Sequence, residues 1–116
     1  MSADHSSDRA LLEAAAKAAG LKYTKPHPDY SGLFGLALED ANGRYIADWS
    51  PLTDDGDAFR LAVKLQIIVG KYDEYANAGV IGSDVDVVVW GHEEGDPYAA
   101  TRRAIVQAAA SLGRSL

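Results

Sequence analysis

The pattern of apolar and polar residues between residues 49 and 65 predicts a helix with a well-marked start. Pro51 ends the extended segment before it, while Asp54 and Asp57 form a short capping box for the first turn. The helix is therefore predicted to begin at Thr53 or Asp54. Its apolar residues are Ala58, Phe59, Leu61, Ala62, Val63 and Leu65, and its polar stripe is Asp57, Arg60 and Lys64. A helix with so little polar surface is expected to pack against the middle of the core.

A second helix is predicted near the start of the chain, from about Ser7 to Ala19. Ser6 or Ser7 is its predicted N-cap, and Gly20 is the left-handed residue that follows its last turn. Its apolar side consists of Leu11, Leu12, Ala15, Ala18 and Ala19. The small residues on this side indicate a close approach to whatever the helix packs against.

A third helix is predicted at the end of the chain. Asp96 is its expected cap, Pro97 occupies the first helical position, and Gly113 is expected to close the helix. Its predicted buried side consists of Tyr98, Thr101, Ile105, Ala108, Ala109 and Leu112.

Two apolar runs, residues 33–38 and 45–49, flank the dipeptide Asn42-Gly43. Asn-Gly between apolar runs is the strongest short-range signal for a β-hairpin, so we predict two antiparallel strands here. Both faces of the hairpin carry apolar residues, which predicts that at least part of it is covered on both sides.

Two more strands are predicted after the central helix, at residues 67–72 and 85–90, because both segments are rich in β-branched residues. Residues 73–83 between them are predicted to form a long irregular loop. Residues 22–32 are predicted to form a semi-rigid surface connection, because prolines fix its backbone. Its characteristic residues are Pro26, His27, Pro28 and Gly32.

The predicted order is α-β-β-α-β-β-α, which places the chain in the α+β class. A mostly antiparallel four-stranded sheet with helices on both faces, an α-β-α sandwich, would bury all the apolar faces. The 116 residues are expected to form one domain over residues 1–116, with residues 1–5 disordered.

The chain carries a net charge of −6 at pH 7, contains no cysteine and shows no signal peptide or membrane-spanning run, so we expect a cytoplasmic protein. Residues 73–96 hold seven acids and no Lys or Arg, whereas residues 101–116 hold Arg102, Arg103 and Arg114 and no acid. This asymmetry fits a contact between copies or with another protein, or simply a solvated acidic loop followed by a basic helix face.

Asp54, Asp55 and Asp57, with Asp48 upstream, form the obvious candidate for a divalent-metal site. The twelfth residue from Asp54 is Leu65, however, where an EF-hand loop requires Glu. Carboxylates at a helix start are also stabilised by the free N–H groups there, whereas a bound cation is not. Helix capping is therefore the preferred interpretation, and no metal, cofactor or catalytic residue is predicted.

His92, Glu93, Glu94 and Asp96 could ligate a metal or pair an acid with a base, but nothing else in the sequence is arranged with them. A solvated loop is the preferred interpretation. The aromatic residues Trp49, Trp90 and Tyr45 could stack on a base or a sugar, although core aromatics at a sheet rim are the commoner case.

Nucleic-acid binding would require basic residues of the two terminal helices and the segment after the first helix to converge. The candidates are Arg102, Arg103, Lys17, Lys22 and Lys25. Against them stand seventeen acids, so nucleic acid is not the favoured partner.

Two blocks give the chain a resemblance to a known family. They read W-x-P-L-x-D-D-G-D-A-x-x-L over residues 49–61 and A-T-R-R-A-I-V over residues 100–106. With them the chain resembles the phage ABA sandwich family, small proteins of phages and prophage-bearing genomes. The resemblance covers most of the chain and implies a layered α-β-α fold. It implies no activity and no catalytic residues.

These observations predict a non-enzymatic accessory protein of prophage origin that binds another protein or itself, with a homodimer as one possibility. Two alternatives remain open. One is a metal-dependent enzyme that uses Asp54, Asp55 and Asp57. The other is a weak nucleic-acid binder that uses the terminal helices.

Overall fold

The computed structural model describes residues 5–24 and 35–116. The helices in this part of the chain are α1 (His5–Ala19), α2 (Asp55–Leu65), α3 (Gly91–Glu94) and α4 (Pro97–Arg114). The strands are β1 (Tyr23–Thr24), β2 (Leu36–Glu39), β3 (Tyr45–Trp49), β4 (Ile68–Lys71), β5 (Tyr75–Gly79) and β6 (Asp86–Trp90). Pro26, His27, Pro28 and Gly32 of the predicted connection lie outside the described residues, as do residues 1–4.

The fold belongs to the α+β class, as predicted, and every strand pair in the described residues is antiparallel. The prediction of one four-stranded sheet is wrong. The described strands form two three-stranded sheets, ordered β1-β2-β3 and β4-β5-β6. Each strand pairs with its neighbour in sequence, and α2 separates the two groups along the chain. The predicted order α-β-β-α-β-β-α missed β1, β5 and α3.

β5 is the central strand of the second sheet, although residues 73–83 were predicted to form an irregular loop. Its sequence YANAG has a low intrinsic preference for strands. The side chains of Ala76 and Ala78 are fully buried, on the face that α4 covers. Small residues allow the helix to approach the sheet closely, so packing outweighs the weak local preference here.

The central helix of the molecule is α4, and α2 packs against it while burying only Ala58, Leu61 and Ala62. α4 contacts α1, α2, α3 and all three strands of the second sheet. Its buried residues are Ala100, Ala104, Ile105, Val106, Ala108, Ala109, Ala110 and Gly113. Most of them are alanines, and these small side chains allow the neighbouring elements to pack closely against most sides of the helix.

Gly113 was predicted to end the last helix, but α4 continues to Arg114. A Cβ atom at Gly113 would lie 1.9 Å from the carbonyl oxygen of Ala14 on α1. The glycine is therefore required for close packing of two helix backbones, which is a reason different from helix termination. At the other end of α4, the carboxylate of Asp96 accepts a hydrogen bond from the N–H of Ala99, which confirms the predicted cap.

α1 begins at His5, so Ser6 and Ser7 lie inside the helix and the prediction that one of them is the N-cap is wrong. The other end agrees with the prediction. Gly20 has a φ of +71°, and the N–H of Leu21 donates to the carbonyl of Ala16. This is the hydrogen bond expected when a left-handed glycine ends a helix.

The predicted hairpin is confirmed as β2 and β3. Gly43 has a φ of +80°, and one carboxylate oxygen of Asp40 accepts hydrogen bonds from the N–H groups of Asn42 and Arg44. The expected cover on both sides does not extend along β3, whose residues are exposed except for Trp49. None of the helices in the described part of the chain has the length and hydropathy needed to span a bilayer.

Candidate functional site

The start of α2 is fixed by Asp54, which confirms the predicted cap. A carboxylate oxygen of Asp54 accepts a hydrogen bond of 2.8 Å from the N–H of Asp57. The reciprocal half of the predicted capping box does not form. In a capping box the carboxylate of Asp57 would accept from the N–H of Asp54, but that N–H donates to the carbonyl of Ser50. The carboxylate of Asp57 accepts instead from the N–H of Ser50, at 2.9 Å.

The third carboxylate of the cluster joins α2 to α4. Arg102 Nη1 lies 2.6 Å from Asp55 Oδ1, and Arg102 Nε donates to the carbonyl of Leu52 at 2.9 Å. Asp57 also pairs with Arg60, at 2.8 Å. The three clustered carboxylates thus accept from donors of the chain itself, and the fourth candidate, Asp48, lies on exposed β3.

Among residues 5–24 and 35–116, no three His, Asp or Glu side chains are grouped so as to hold a metal ion. The hydrogen bonds described above are those expected of a helix start that is tied to its neighbour. The contribution of the acidic cluster to the site is therefore positional, because it sets where α2 lies against α4.

α2 buries only one of its apolar sides. Ala58, Leu61 and Ala62 are buried, but Phe59 is 69% exposed and Val63 is 61% exposed. Phe59 and Val63 are four residues apart and therefore lie on the same side of the helix. The sequence correctly indicated an apolar surface around most of α2, but the fold leaves this part of it uncovered.

An apolar groove of about 1040 Å³ lies between α2, the first half of α4 and β4. Its apolar lining residues are Ala58, Phe59, Ala62, Val63, Ile67, Ile68, Val69, Val80, Ile81, Pro97, Tyr98 and Ile105. We call this surface the α2 groove. Tyr98, predicted to be buried, is 68% exposed at its rim, and Ile81, in the turn between β5 and β6, is 83% exposed. A groove of this size is typical of a ligand or partner site.

One wall of the α2 groove is formed by β4, the first strand of its sheet. Val69 and Lys71 point to one side of this strand and Ile68 to the other, yet all three line the groove. The groove therefore extends to the edge of the strand as well as to one of its faces. Among the described strands, β4 pairs with β5 alone, so this edge is open there.

The α2 groove contains little charge. Its charged lining residues are Asp55, Lys71 and Arg102. Asp55 and Arg102 neutralise each other in the 2.6 Å ion pair, which leaves Lys71 as the remaining charge among the lining residues. This composition suits burial against another apolar surface, because few charges need to be desolvated.

A second exposed apolar surface lies on the face of the second sheet opposite α4. Here the rings of Tyr72 and Tyr75 stack at 4.7 Å, and those of Tyr75 and Trp90 lie 5.3 Å apart. Val88 on the same face is 48% exposed. The predicted sandwich, with helices on both faces of its sheet, is therefore wrong for this sheet within the described residues.

The residues considered as a metal-binding or acid–base group near His92 each have a different contact. Glu94 accepts a hydrogen bond of 2.9 Å from Arg103, Asp96 caps α4, and His92 is exposed beside Trp90. Arg103 also bonds both carboxylate oxygens of Asp8 on α1.

Burial by itself would lower the pKa of Arg103. The hydrogen bonds and charges of Asp8 and Glu94 outweigh this effect and raise the pKa above its ordinary value. The guanidinium therefore stays charged at any working pH and holds α1, α3 and α4 together.

The basic residues considered for nucleic-acid binding have separate roles. Arg102 and Arg103 are engaged with carboxylates, and Lys22 lies 3.5 Å from Glu39. Lys17 is exposed in the last turn of α1, and Lys25 lies outside the described residues. Of the aromatics considered for stacking, Trp49 is buried, whereas Tyr45 and Trp90 are exposed.

The comparisons with known proteins add no family. No family model, no curated protein and no solved structure matches the chain. The resemblance carried by residues 49–61 and 100–106 therefore stays a prediction. The two blocks do meet in the fold, because Arg102 of the second bonds Leu52 and Asp55 of the first.

Proposed function

We propose that this protein is non-enzymatic and works by binding protein, with the α2 groove as its binding surface. The observation that carries the proposal is the exposure of Phe59, Val63 and Tyr98 around one continuous apolar groove. Single exposed apolar residues are ordinary on protein surfaces, whereas a contiguous apolar surface with few charges is characteristic of interaction sites.

The chemistry of the lining supports binding rather than catalysis. Its polar and charged side chains are Asp55, Gln66, Lys71, Thr101 and Arg102. Asp55 and Arg102 are engaged with each other, and general acid–base catalysis would need a free acid and base at a shared substrate position.

We also propose that the chain belongs to the phage ABA sandwich family, as a phage or prophage accessory protein. The support is the pair of blocks over residues 49–61 and 100–106. Their contact through Arg102 gives them a shared physical role, since it holds α2 against α4 and so shapes the groove.

Affinity capture from a cell lysate tests the proposed binding surface. The tagged chain is co-expressed with an untagged copy, so that binding to itself is also detected. We expect the double variant Phe59→Ser, Val63→Ser to lose the proteins that the wild type captures, because it removes the two most prominent apolar side chains on the α2 side. Ile46→Ser is the matched control, since Ile46 is 59% exposed on β3, outside the groove.

Circular dichroism should show that both variants are folded. Capture of the same proteins by the double variant would place the interaction elsewhere.

Calorimetric titration with Mg²⁺, Mn²⁺ and Ca²⁺ tests the enzymatic alternative. Saturable heat that disappears in Asp55→Asn would favour a metal-dependent enzyme over a binding protein.

A further inference from the structure

We propose that the partner in the α2 groove is a second copy of this chain. The β4 strands of two copies pair antiparallel across a two-fold axis, and α2 of each copy covers the junction. Two three-stranded sheets thereby become one six-stranded sheet. This inference rests on the proposed function, because it names the occupant of the same surface.

Among the described strands, β4 has an open edge. Ile68, Val69 and Gly70 present three uncharged residues in a row, with Lys71 as the last residue of the strand. Exposed strand edges are usually protected by charges, proline or bulges, because unpaired N–H and C=O groups attract another strand. The opposite edge, β6, likewise has one charged residue, Asp86 at its start, so charge alone does not distinguish the two edges. Within residues 5–24 and 35–116, β4 is the edge strand that lines the apolar groove.

The groove beside that edge of β4 offers space for another strand. A strand paired with β4 would lie about 4.8 Å from it, on the side to which the groove extends. Side chains of the added strand that point toward the helix layer would then meet Phe59 and Val63, which form the α2 wall of the groove. Strand pairing and burial of the exposed side of α2 would therefore occur together.

The exposed apolar area of the groove determines how much surface a dimer contact can bury. The exposed apolar residues of the groove are Phe59 (69%), Val63 (61%), Ile68 (54%), Val69 (37%), Ile81 (83%) and Tyr98 (68%). Together they expose roughly 700 Å² per copy, so a contact that covers these residues in both copies would reach the range of about 1,200–2,000 Å² that stable specific interfaces bury. A two-fold axis supplies this patch twice, as an isologous dimer requires.

The low charge of the groove also suits contact between two copies of the chain. Two copies with a net charge of −6 repel each other, so their contact must avoid the acidic parts of the surface. The α2 groove is lined by a single carboxylate, Asp55, which Arg102 neutralises, and by Lys71. Asp73 and Glu74, just beyond β4, are acidic and exposed, but they are not among the residues that line the groove.

Sedimentation velocity over a concentration range of about 1–100 µM tests the proposal, because self-association follows mass action. We expect the wild type to sediment as a dimer at the upper end of this range. Val63→Lys should sediment as a monomer throughout, because it buries two like charges in the contact. Phe59→Lys is the second variant, and Ile46→Lys is the control that should remain dimeric. Val63, Phe59 and Ile46 are all exposed, so the monomer can accept the three substitutions.

Disulfide trapping tests the position of the contact, and the absence of cysteine from the chain makes the result specific. Single cysteines are placed in turn at Ile68, Val69, Gly70 and Lys71, with Ile46→Cys as the control. A disulfide requires Cα atoms about 4.4–6.8 Å apart, which strand residues next to a two-fold axis satisfy. We expect at least one β4 variant to form a covalent dimer on mild oxidation, and the control to form none.

The possible outcomes separate the inference from the proposed function. A dimer that Val63→Lys leaves intact, or that no β4 cysteine traps, would overturn the inference. A monomeric chain that captures another protein through the α2 groove would also overturn it, while the proposed function would stand. A monomeric chain whose captured proteins are unaffected by Phe59→Ser, Val63→Ser would refute both.

Discussion

α4 and α2 both carry apolar residues around most of their circumference, yet the fold treats them differently. α4 is enclosed by α1, α2, α3 and the second sheet, and it buries eight residues. α2 buries Ala58, Leu61 and Ala62, while Phe59 and Val63 are exposed to solvent. A continuous apolar surface on a helix therefore does not establish that the helix is central.

Residue size accounts for part of the difference. Most of the buried residues of α4 are alanines, and Gly113 allows the backbone of α1 to come within contact distance. Several elements can thus pack around α4 at once. Phe59 and Val63 of α2 are larger, and a partner surface has to be shaped to receive them. In this molecule they line a groove instead.

The largest predicted effect tests the close packing of α4. Gly113→Ala should lower the free energy of unfolding by about 4 kcal/mol, because its Cβ would collide with a backbone oxygen that no side-chain rotation can move. Chemical denaturation measures this change. Gly56→Ala in α2 is the matched control. The atoms nearest its Cβ are the flexible end of Arg60, at 3.1 Å, and a carboxylate oxygen of Asp54, at 3.2 Å, so this substitution should cost much less than Gly113→Ala. Equal losses in both variants would contradict the packing explanation.

The next effect compares the two sides of α2. Leu61→Ala should cost about 3 kcal/mol of unfolding free energy, because the side chain is buried and its removal leaves a cavity. Phe59→Ala removes a larger side chain but should cost less than about 1 kcal/mol, because most of that side chain is already in water. Both variants are measured by urea denaturation at a concentration where the wild type is monomeric. A greater loss for Phe59→Ala would show that this side of α2 is buried in the monomer.

A third comparison uses the arginines of the two helices. Arg103→Ala should cost about 2 kcal/mol, because it leaves the partly buried carboxylates of Asp8 and Glu94 without their partner. Arg60→Ala breaks an exposed ion pair and should cost less than about 0.5 kcal/mol.

The pH dependence of these two variants provides a check. The raised pKa of Arg103 means that its stabilising contribution is fully present below its unfolded pKa and is lost only as pH rises through the folded pKa. Both values lie above the working range, so the contribution of Arg103 should not change because Arg103 itself titrates between about pH 6 and pH 9. A midpoint of denaturation that falls steeply across this range in the wild type but not in Arg103→Ala would contradict this assignment.

The smallest effect concerns a feature that the two helices share. Asp54 caps α2 and Asp96 caps α4 with the same 2.8 Å hydrogen bond to the third following N–H group. Replacing either with Ala should cost about 1 kcal/mol in chemical denaturation. Asp73→Ala, in an exposed turn, is the control and should cost nearly nothing. A loss at one cap only would show that the surroundings of the helix, rather than the cap itself, decide the effect.

The groove was only partly predictable. The sequence showed that Phe59 and Val63 were apolar and on one side of a helix, but it also supported the interpretation that they were buried. Tyr98 was likewise assigned to the buried side of the last helix. Ile81 was the clearest available signal, because an isoleucine directly before Gly82, Ser83 and Asp84 in a turn has no local reason to be there. Which apolar residues stay uncovered depends on neighbours far away in the chain.

By itself the sequence determined the features that depend on a few adjacent residues. Asp54 and Asp96 mark helix starts, Gly20 marks a helix end, and Asn42-Gly43 marks a hairpin, because each acts through hydrogen bonds or backbone angles within its own turn. Only the tertiary structure decided that YANAG forms the central strand β5, that α4 rather than α2 is central, and that Gly113 packs against Ala14. These outcomes depend on which surfaces approach closely enough to exclude water. That is set by the sizes and positions of residues distant in sequence, and no local pattern of apolar and polar positions contains it.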